Sequence, residues 1–75
     1  MYYLRLAIPS PLRRLFDYLP PADCDPQHLL PGIRVEVPFG RRQLVGILIE
    51  ITQESSVPAG KLKAATALLD NRPPL

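Results

Sequence analysis

The chain has 75 residues, a net charge of +2 and 47% apolar residues. That is room for one small domain, which buries only about 60% of its unfolded surface, and no stretch approaches the ~20 apolar residues of a membrane span. The lone Cys24 and the lone His28 exclude a disulfide framework and a four-ligand zinc site built within the chain, and so mild a charge argues against a reader of nucleic acid that relies on phosphate contacts alone.

An unpaired cysteine fits a reducing, intracellular compartment. The start Met1–Ile8 has no basic region and no long apolar stretch before a cleavage site, so it is not a signal peptide, and a cytoplasmic location is expected. Ten prolines are spread along the chain and punctuate a folded domain rather than marking a disordered tail.

From Tyr2 to Ile8 the residues alternate, with Tyr2, Leu4, Leu6 and Ile8 on one face and Tyr3, Arg5 and Ala7 on the other. This spacing predicts a strand with one buried face. Pro9 and Pro11 stop it, since neither donates a ladder hydrogen bond. Leu15 to Leu19 is a second short strand, closed by Pro20–Pro21. Ala22 to Leu30 is polar and reads as a surface loop with at most one helical turn; Pro31–Gly32 is a turn signal.

Ile33 to Val37 alternates again, and Pro38 to Gln43 makes a corner. Leu44 to Thr52 is the longest apolar run, with branched residues at successive positions. It predicts a central strand buried on two sides for much of its length. Gly46 inside it signals a bulge, a barrel bend or a close backbone approach. Leu62 to Asp70 favours helix on propensity, but at this length strand and helix are not separable. Asn71–Pro74 reads as the start of a linker after a domain spanning 1–70, with further sequence expected beyond it.

The fold class is therefore mainly β: a small barrel-like or curled antiparallel sheet of about five short strands with Pro and Gly corners, and at most one short helix. Closure into a barrel would remove exposed strand edges. Catalytic signatures are absent. Gly60–Lys61 lacks the rest of a phosphate-binding loop, and His28 sits in a Pro-rich loop with no nucleophile partner. The acids Asp23 and Asp25 flank Cys24 in that loop and read as solvation, and no cationic neighbour would activate the thiol. The chain by itself is not expected to be an enzyme or to hold a cofactor.

Taken in order, Ala7–Ile8–Pro9–x–Pro11–Leu12, Phe16–Asp17–Tyr18, Pro31–Gly32–x–Arg34–Val35–x–Val37–Pro38–Phe39–Gly40, Gly46–Ile47 and Leu62–Lys63 resemble the N-terminal domain of bacterial replication-restart helicases of the PriA (primosomal protein N′) type. The resemblance covers nearly the whole chain; the loop Ala22–Leu30 and Lys61, Ala65 and Thr66 depart from it. It implies a receptor for the 3′ end of a nascent DNA strand at a stalled or repaired fork, with the ATPase, zinc-binding cysteines and winged helix in later domains. It also implies partnership with other primosome proteins and single-stranded DNA-binding protein through a longer chain, and a nucleoid-associated location.

Carried over motif by motif, the resemblance puts Phe16, Asp17, Gly40 and Lys63 in the DNA-end pocket. Phe16 supplies a face for the base, Asp17 reads polar groups, Gly40 lets the backbone approach the sugar, and Lys63 meets the last internal phosphate. The basic pairs Arg13–Arg14 and Arg41–Arg42 are candidate phosphate contacts. Each has an ordinary alternative. Asp17 could cap a turn, Phe16 and Phe39 could be core, Gly40 could serve only a positive-φ turn, and the lysine and arginines could be solvated surface. The rival reading of the whole chain is an SH3- or OB-like protein-interaction module that docks on a replication protein or on the helicase core.

Overall fold

The computed structural model describes residues 1–11, 14–22 and 24–73. Five strands, β1 (Tyr3–Ala7), β2 (Leu15–Tyr18), β3 (Arg34–Phe39), β4 (Arg42–Thr52) and β5 (Ala67–Leu68), form one antiparallel sheet. Their order across the sheet is β2-β1-β4-β3-β5. The other regular elements among the described residues are two short 3₁₀ turns, Pro26–His28 and Ala59–Lys61. In the first, Asp25 accepts a hydrogen bond from the Gln27 amide, so the expected loop carries the single turn read for it.

The alternation seen in the sequence becomes burial. Leu4, Leu6 and Ile8 from β1 and its end, Ile33, Val35 and Val37 from β3 and its start, and Leu48 from β4 fill one core with Tyr18 and Ala65. Strand β4 is central, as expected, but the expectation that it is buried on both sides does not hold. Val45, Ile47 and Ile49 are 40–43% exposed on the outer side. The sheet is one layer wrapped around one core, and among the described residues no second layer covers its convex face.

Two irregularities shape the curl. Arg5 pairs with Glu50 whereas the next residue, Leu6, pairs with Leu48, so Ile49 is the unopposed residue of a bulge. Bulges increase twist and bend the strand that carries them. Gly46 is a different device, a close approach. A Cβ there would stand 3.0 Å from the Ala7 carbonyl oxygen and 3.1 Å from Ile8 Cγ1, where the end of β1 crosses β4.

The sheet is not closed. Its two edges touch at one isolated parallel bridge, where the Leu19 amide donates to the Lys63 carbonyl at 2.9 Å and the Ala65 amide donates to the Leu19 carbonyl at 2.8 Å. The Tyr18 hydroxyl adds a second tie, donating to the Pro38 carbonyl at 2.8 Å. Pro38 sits where β3 has passed the end of β5, so its missing amide proton deprives no neighbouring strand. Leu62–Asp70 resolves as extended chain: the Thr66 and Leu69 amides donate to the Glu36 and Arg34 carbonyls, and these bonds override the helical propensity of the alanines. Beyond β5, Asp70 grips Arg34 through both carboxylate oxygens. A Cβ at Gly32 would stand 3.2 Å from the Pro73 ring, so the chain lies against the domain as far as that residue.

Candidate functional site

The unclosed part of the seam holds a cavity of about 460 Å³. Strand β2 forms one wall, the end of β3 and its hairpin a second, and the segment from Ser56 to Lys63 a third. Phe16, Asp17, Gly40 and Lys63, from three separated stretches of sequence, all line it, and so does Arg14. Arg41 and Arg42 are exposed on the hairpin beside the cavity and do not line it. Arg13 lies outside the described residues.

Gly40 is the first of two residues between Phe39 and Arg42, with φ of +63°. A positive φ at the first position of a two-residue hairpin is the type II′ pattern, which favours glycine there. A Cβ on Gly40 would meet nothing within 4 Å, so it is the backbone angle and not crowding that asks for glycine. The turn folds Phe39 onto Phe16, whose rings meet edge to face at 5.1 Å and 89°. The Arg14 guanidinium stands 4.7 Å over the Phe16 ring, a cation–π contact between two residues that both line the cavity.

Asp17 is the most tightly held side chain of the site. Its side chain is only 8% exposed. Arg5 Nε donates to Oδ1 at 2.9 Å, and the Ser55 hydroxyl donates to Oδ2 at 2.6 Å. Burial pushes the carboxyl pKa up, but the bonds from Arg5 and Ser55 and the Arg5 charge outweigh it and hold the group below the usual carboxylate range. Arg5 faces an acid on each side, because the ladder sets Asp17 and Glu50 opposite it on the two neighbouring strands. Its Nη1 donates to Glu50 at 2.6 Å and its Nη2 reaches the Glu54 carbonyl at 3.4 Å.

The β2 backbone also contributes. Leu19 directs both its amide and its carbonyl across the seam, and strand groups alternate in direction, so the amides and carbonyls of Asp17 and Leu15 point the same way. None of them has a backbone partner among the described residues. The cavity thus combines a partly exposed aromatic face, a fixed carboxylate, unpaired backbone groups, and the cations Arg5, Arg14, Lys61 and Lys63. Sequence reading did not single out Arg5, Ser55 or Lys61. The acids flanking Arg5 depend on strand register across the bulge, and Ser55 on a contact 38 residues away. Lys61 carried a weak signal, standing two residues from Lys63 in the same segment.

Neither Cys24 nor His28 adds a second site. Burial and the nearby Asp25 push the Cys24 thiol pKa up, and no group of three metal-ligating side chains occurs among the described residues. No helix among them is long and apolar enough to cross a membrane.

Comparison with known proteins gives this cavity its context. Residues 5–75 match the family described as the 3′ DNA-binding domain (3′BD) of PriA. The replication restart protein PriA of Haemophilus influenzae is 44% identical over 73 residues, which is 97% of this chain and 10% of the relative's length. The chain therefore belongs to the PriA 3′ DNA-binding domain family.

Proposed function

We propose that the seam cavity receives the 3′-terminal nucleotide of a DNA strand and accepts any base there. The observation that carries this reading is the convergence of Phe16, Asp17, Gly40 and Lys63 on one cavity beside the free edge of β2. A base stacks on Phe16, displacing or sandwiching against Arg14, and stacking tolerates every base because each has a π-face. The Asp17 carboxylate and the unpaired β2 backbone groups take the polar edges. Gly40 leaves room for the sugar, and Lys61 and Lys63 meet the internal phosphate next to the end. Arg14, Arg41 and Arg42 stand where the strand leaves the cavity, and Arg13 extends that basic track in sequence.

Discrimination against a further phosphate rests in this reading on volume and on the hydrogen bond that a terminal hydroxyl donates to the Asp17 carboxylate, rather than on net charge. Arg5 already neutralises Asp17, and the remaining lining cations would attract an anion. A terminal hydroxyl fits where a continuing strand does not. As a module of a longer PriA-type protein, the domain would place an ATP-dependent 3′–5′ helicase on stalled or repaired forks in the cytoplasm, at the nucleoid. Other primosome proteins and single-stranded DNA-binding protein would be met through that longer chain. The domain itself works by binding, with its catalytic partners elsewhere.

Fluorescence anisotropy with four short single strands that differ only in the 3′-terminal base tests the pocket. The expected result is affinities within about threefold of one another and an equal loss for all four in Phe16→Ala, of about 1–3 kcal/mol. Preference for one base by more than about tenfold, or no effect of Phe16→Ala, contradicts it. A second reading, docking onto a protein, is favoured by one observation: Leu15, Val45, Ile47 and Ile49 stand exposed on the outer sheet face. Indifference to all four strands would leave that reading in place.

A further inference from the structure

The outer faces of three strands put Asp17, Arg5 and Glu50 in one row, with Arg5 at the centre. One guanidinium then does three things. It bonds the pocket carboxylate at 2.9 Å, it bonds Glu50 at 2.6 Å, and it reaches the Glu54 carbonyl at 3.4 Å. Glu54 begins the segment whose Ser55 hydroxyl bonds Asp17 from the other side, and Ser56 and Val57 of that segment form part of the cavity wall. The Ser55 oxygen is itself fixed by accepting the Val57 amide proton.

We propose that Arg5 is a positioning residue for DNA-end selection: it fixes the orientation of the Asp17 carboxylate at the cavity wall and ties the wall segment Glu54–Val57 to it. This rests on the pocket reading above and adds a residue that binds no base itself.

Several observations carry the assignment. A carboxylate with two oxygens has about four acceptor positions. Arg5 Nε donates to Oδ1, and the Ser55 hydroxyl and, at a longer 3.5 Å, Arg5 Nη2 donate to Oδ2, so both oxygens are held, the rotation of Asp17 is defined and about one acceptor position is left for a ligand. A lysine could not reproduce this, because Arg5 uses three nitrogens of a planar fork on three different acceptors. The other charged groups near Asp17 are Glu50 on β4, Arg14 ahead of β2, Lys61 and Lys63 on the opposite wall, and Glu54 in the segment itself. Of the cations, Arg5 alone bonds the carboxylate among the described residues.

The test measures the ratio of affinities for 3′-hydroxyl and 3′-phosphate single strands, from about pH 3 to about pH 8, for the unaltered 75-residue chain and for Arg5→Gln, Arg5→Lys, Ser55→Ala and Asp17→Asn. Because the Asp17 carboxyl is held below its ordinary range, the unaltered chain should keep its hydroxyl preference down to about pH 4 and lose it only below that. Arg5→Gln should reduce the preference by about tenfold at pH 7 and move its acid midpoint upward. Arg5→Lys should keep the midpoint near its original place yet recover only part of the preference. Ser55→Ala should act in the same direction as Arg5→Gln, more weakly, and Arg5→Gln should add little to Asp17→Asn.

A uniform weakening of both strands in Arg5→Gln, with ratio and midpoint unchanged, would make Arg5 a general electrostatic contact and overturn the assignment. Should Arg5→Gln fail to fold, Arg5→Lys and Ser55→Ala decide, since an unchanged ratio and midpoint in both refutes it. An Asp17→Asn variant with an unaltered ratio would instead remove the pocket reading on which this rests.

Discussion

Replacing Gly46 by alanine sets two effects of opposite sign against each other. Removing a glycine restricts the unfolded chain and, where the native backbone accepts a side chain, stabilises by about 0.4–1 kcal/mol. Gly46 has no positive φ that would forbid alanine, so backbone strain does not enter. The new methyl, however, would stand 3.0 Å from the Ala7 carbonyl oxygen, 3.1 Å from Ile8 Cγ1 and 3.5 Å from Leu6 Cβ. The first belongs to a residue paired on both sides, with Leu15 and with Ile47, and cannot retreat without loosening two ladders. The second is a buried side chain in the core. Overpacking of this kind costs about 1–3 kcal/mol, so the net effect is a loss of about 1–2 kcal/mol. At about 4–8 °C per kcal/mol for a domain this small, thermal unfolding followed by circular dichroism should fall by about 5–15 °C. Gly46→Val should fall further. An unchanged or raised midpoint in Gly46→Ala would refute the claim that β1 and β4 cross in contact there.

Other outcomes follow from the same geometry. Tyr18→Phe removes the hydroxyl that spans the seam to the Pro38 carbonyl and should lower stability in urea unfolding by about 1 kcal/mol; no change would mean the tie is solvated. Asp17, whose burial is outweighed by its bonds from Arg5 and Ser55, and Asp70, bonded by Arg34, both have pKa values below their ordinary 3.8. A depressed carboxyl stabilises the fold above its unfolded value and loses that contribution as pH falls through the folded value. Urea midpoints should therefore be flat from pH 7 to about 5 and drop below about pH 4, less steeply in Asp17→Asn, and an equally steep drop in that variant would contradict the linkage. If Lys63 and Arg41 each meet a phosphate, alanine at either should reduce the slope of log affinity against log salt by about 0.7, and an unchanged slope would take that residue off the strand's path.

Much of the fold was legible because it is local. The period of two in Tyr2–Ile8 and Ile33–Val37 became the buried rows Leu4–Leu6–Ile8 and Ile33–Val35–Val37, whereas the corner expected over Pro38–Gln43 tightens to Gly40–Arg41, because Pro38 and Phe39 pair with Gln43 and Arg42 as strand. The outer face of β4 was misread because branched residues on both faces of a strand report composition, not what lies opposite. The last segment was ambiguous for a related reason: alanines favour helix, and only the Thr66 and Leu69 bonds to β3, some 30 residues away, make it extended. In the site, Phe16, Asp17, Gly40 and Lys63 were reached through motif resemblance, and they line one cavity. The seam that creates the cavity was not legible, since it depends on the Leu19–Ala64 bridge between the two sheet edges. Arg5 was placed on the correct outer face, but its two acidic neighbours are set by pairing across three strands.

The most direct measurement of the central claim compares short single strands ending in a 3′-hydroxyl with otherwise identical strands ending in a 3′-phosphate, by anisotropy, with the unaltered chain and Asp17→Ala at low and moderate salt. The account predicts that the hydroxyl strand binds more tightly, that the difference survives moderate salt, and that Asp17→Ala abolishes it while retaining weak electrostatic binding. Equal binding of both strands that collapses together as salt rises would contradict an end-reading pocket and leave only the attraction of the basic surface.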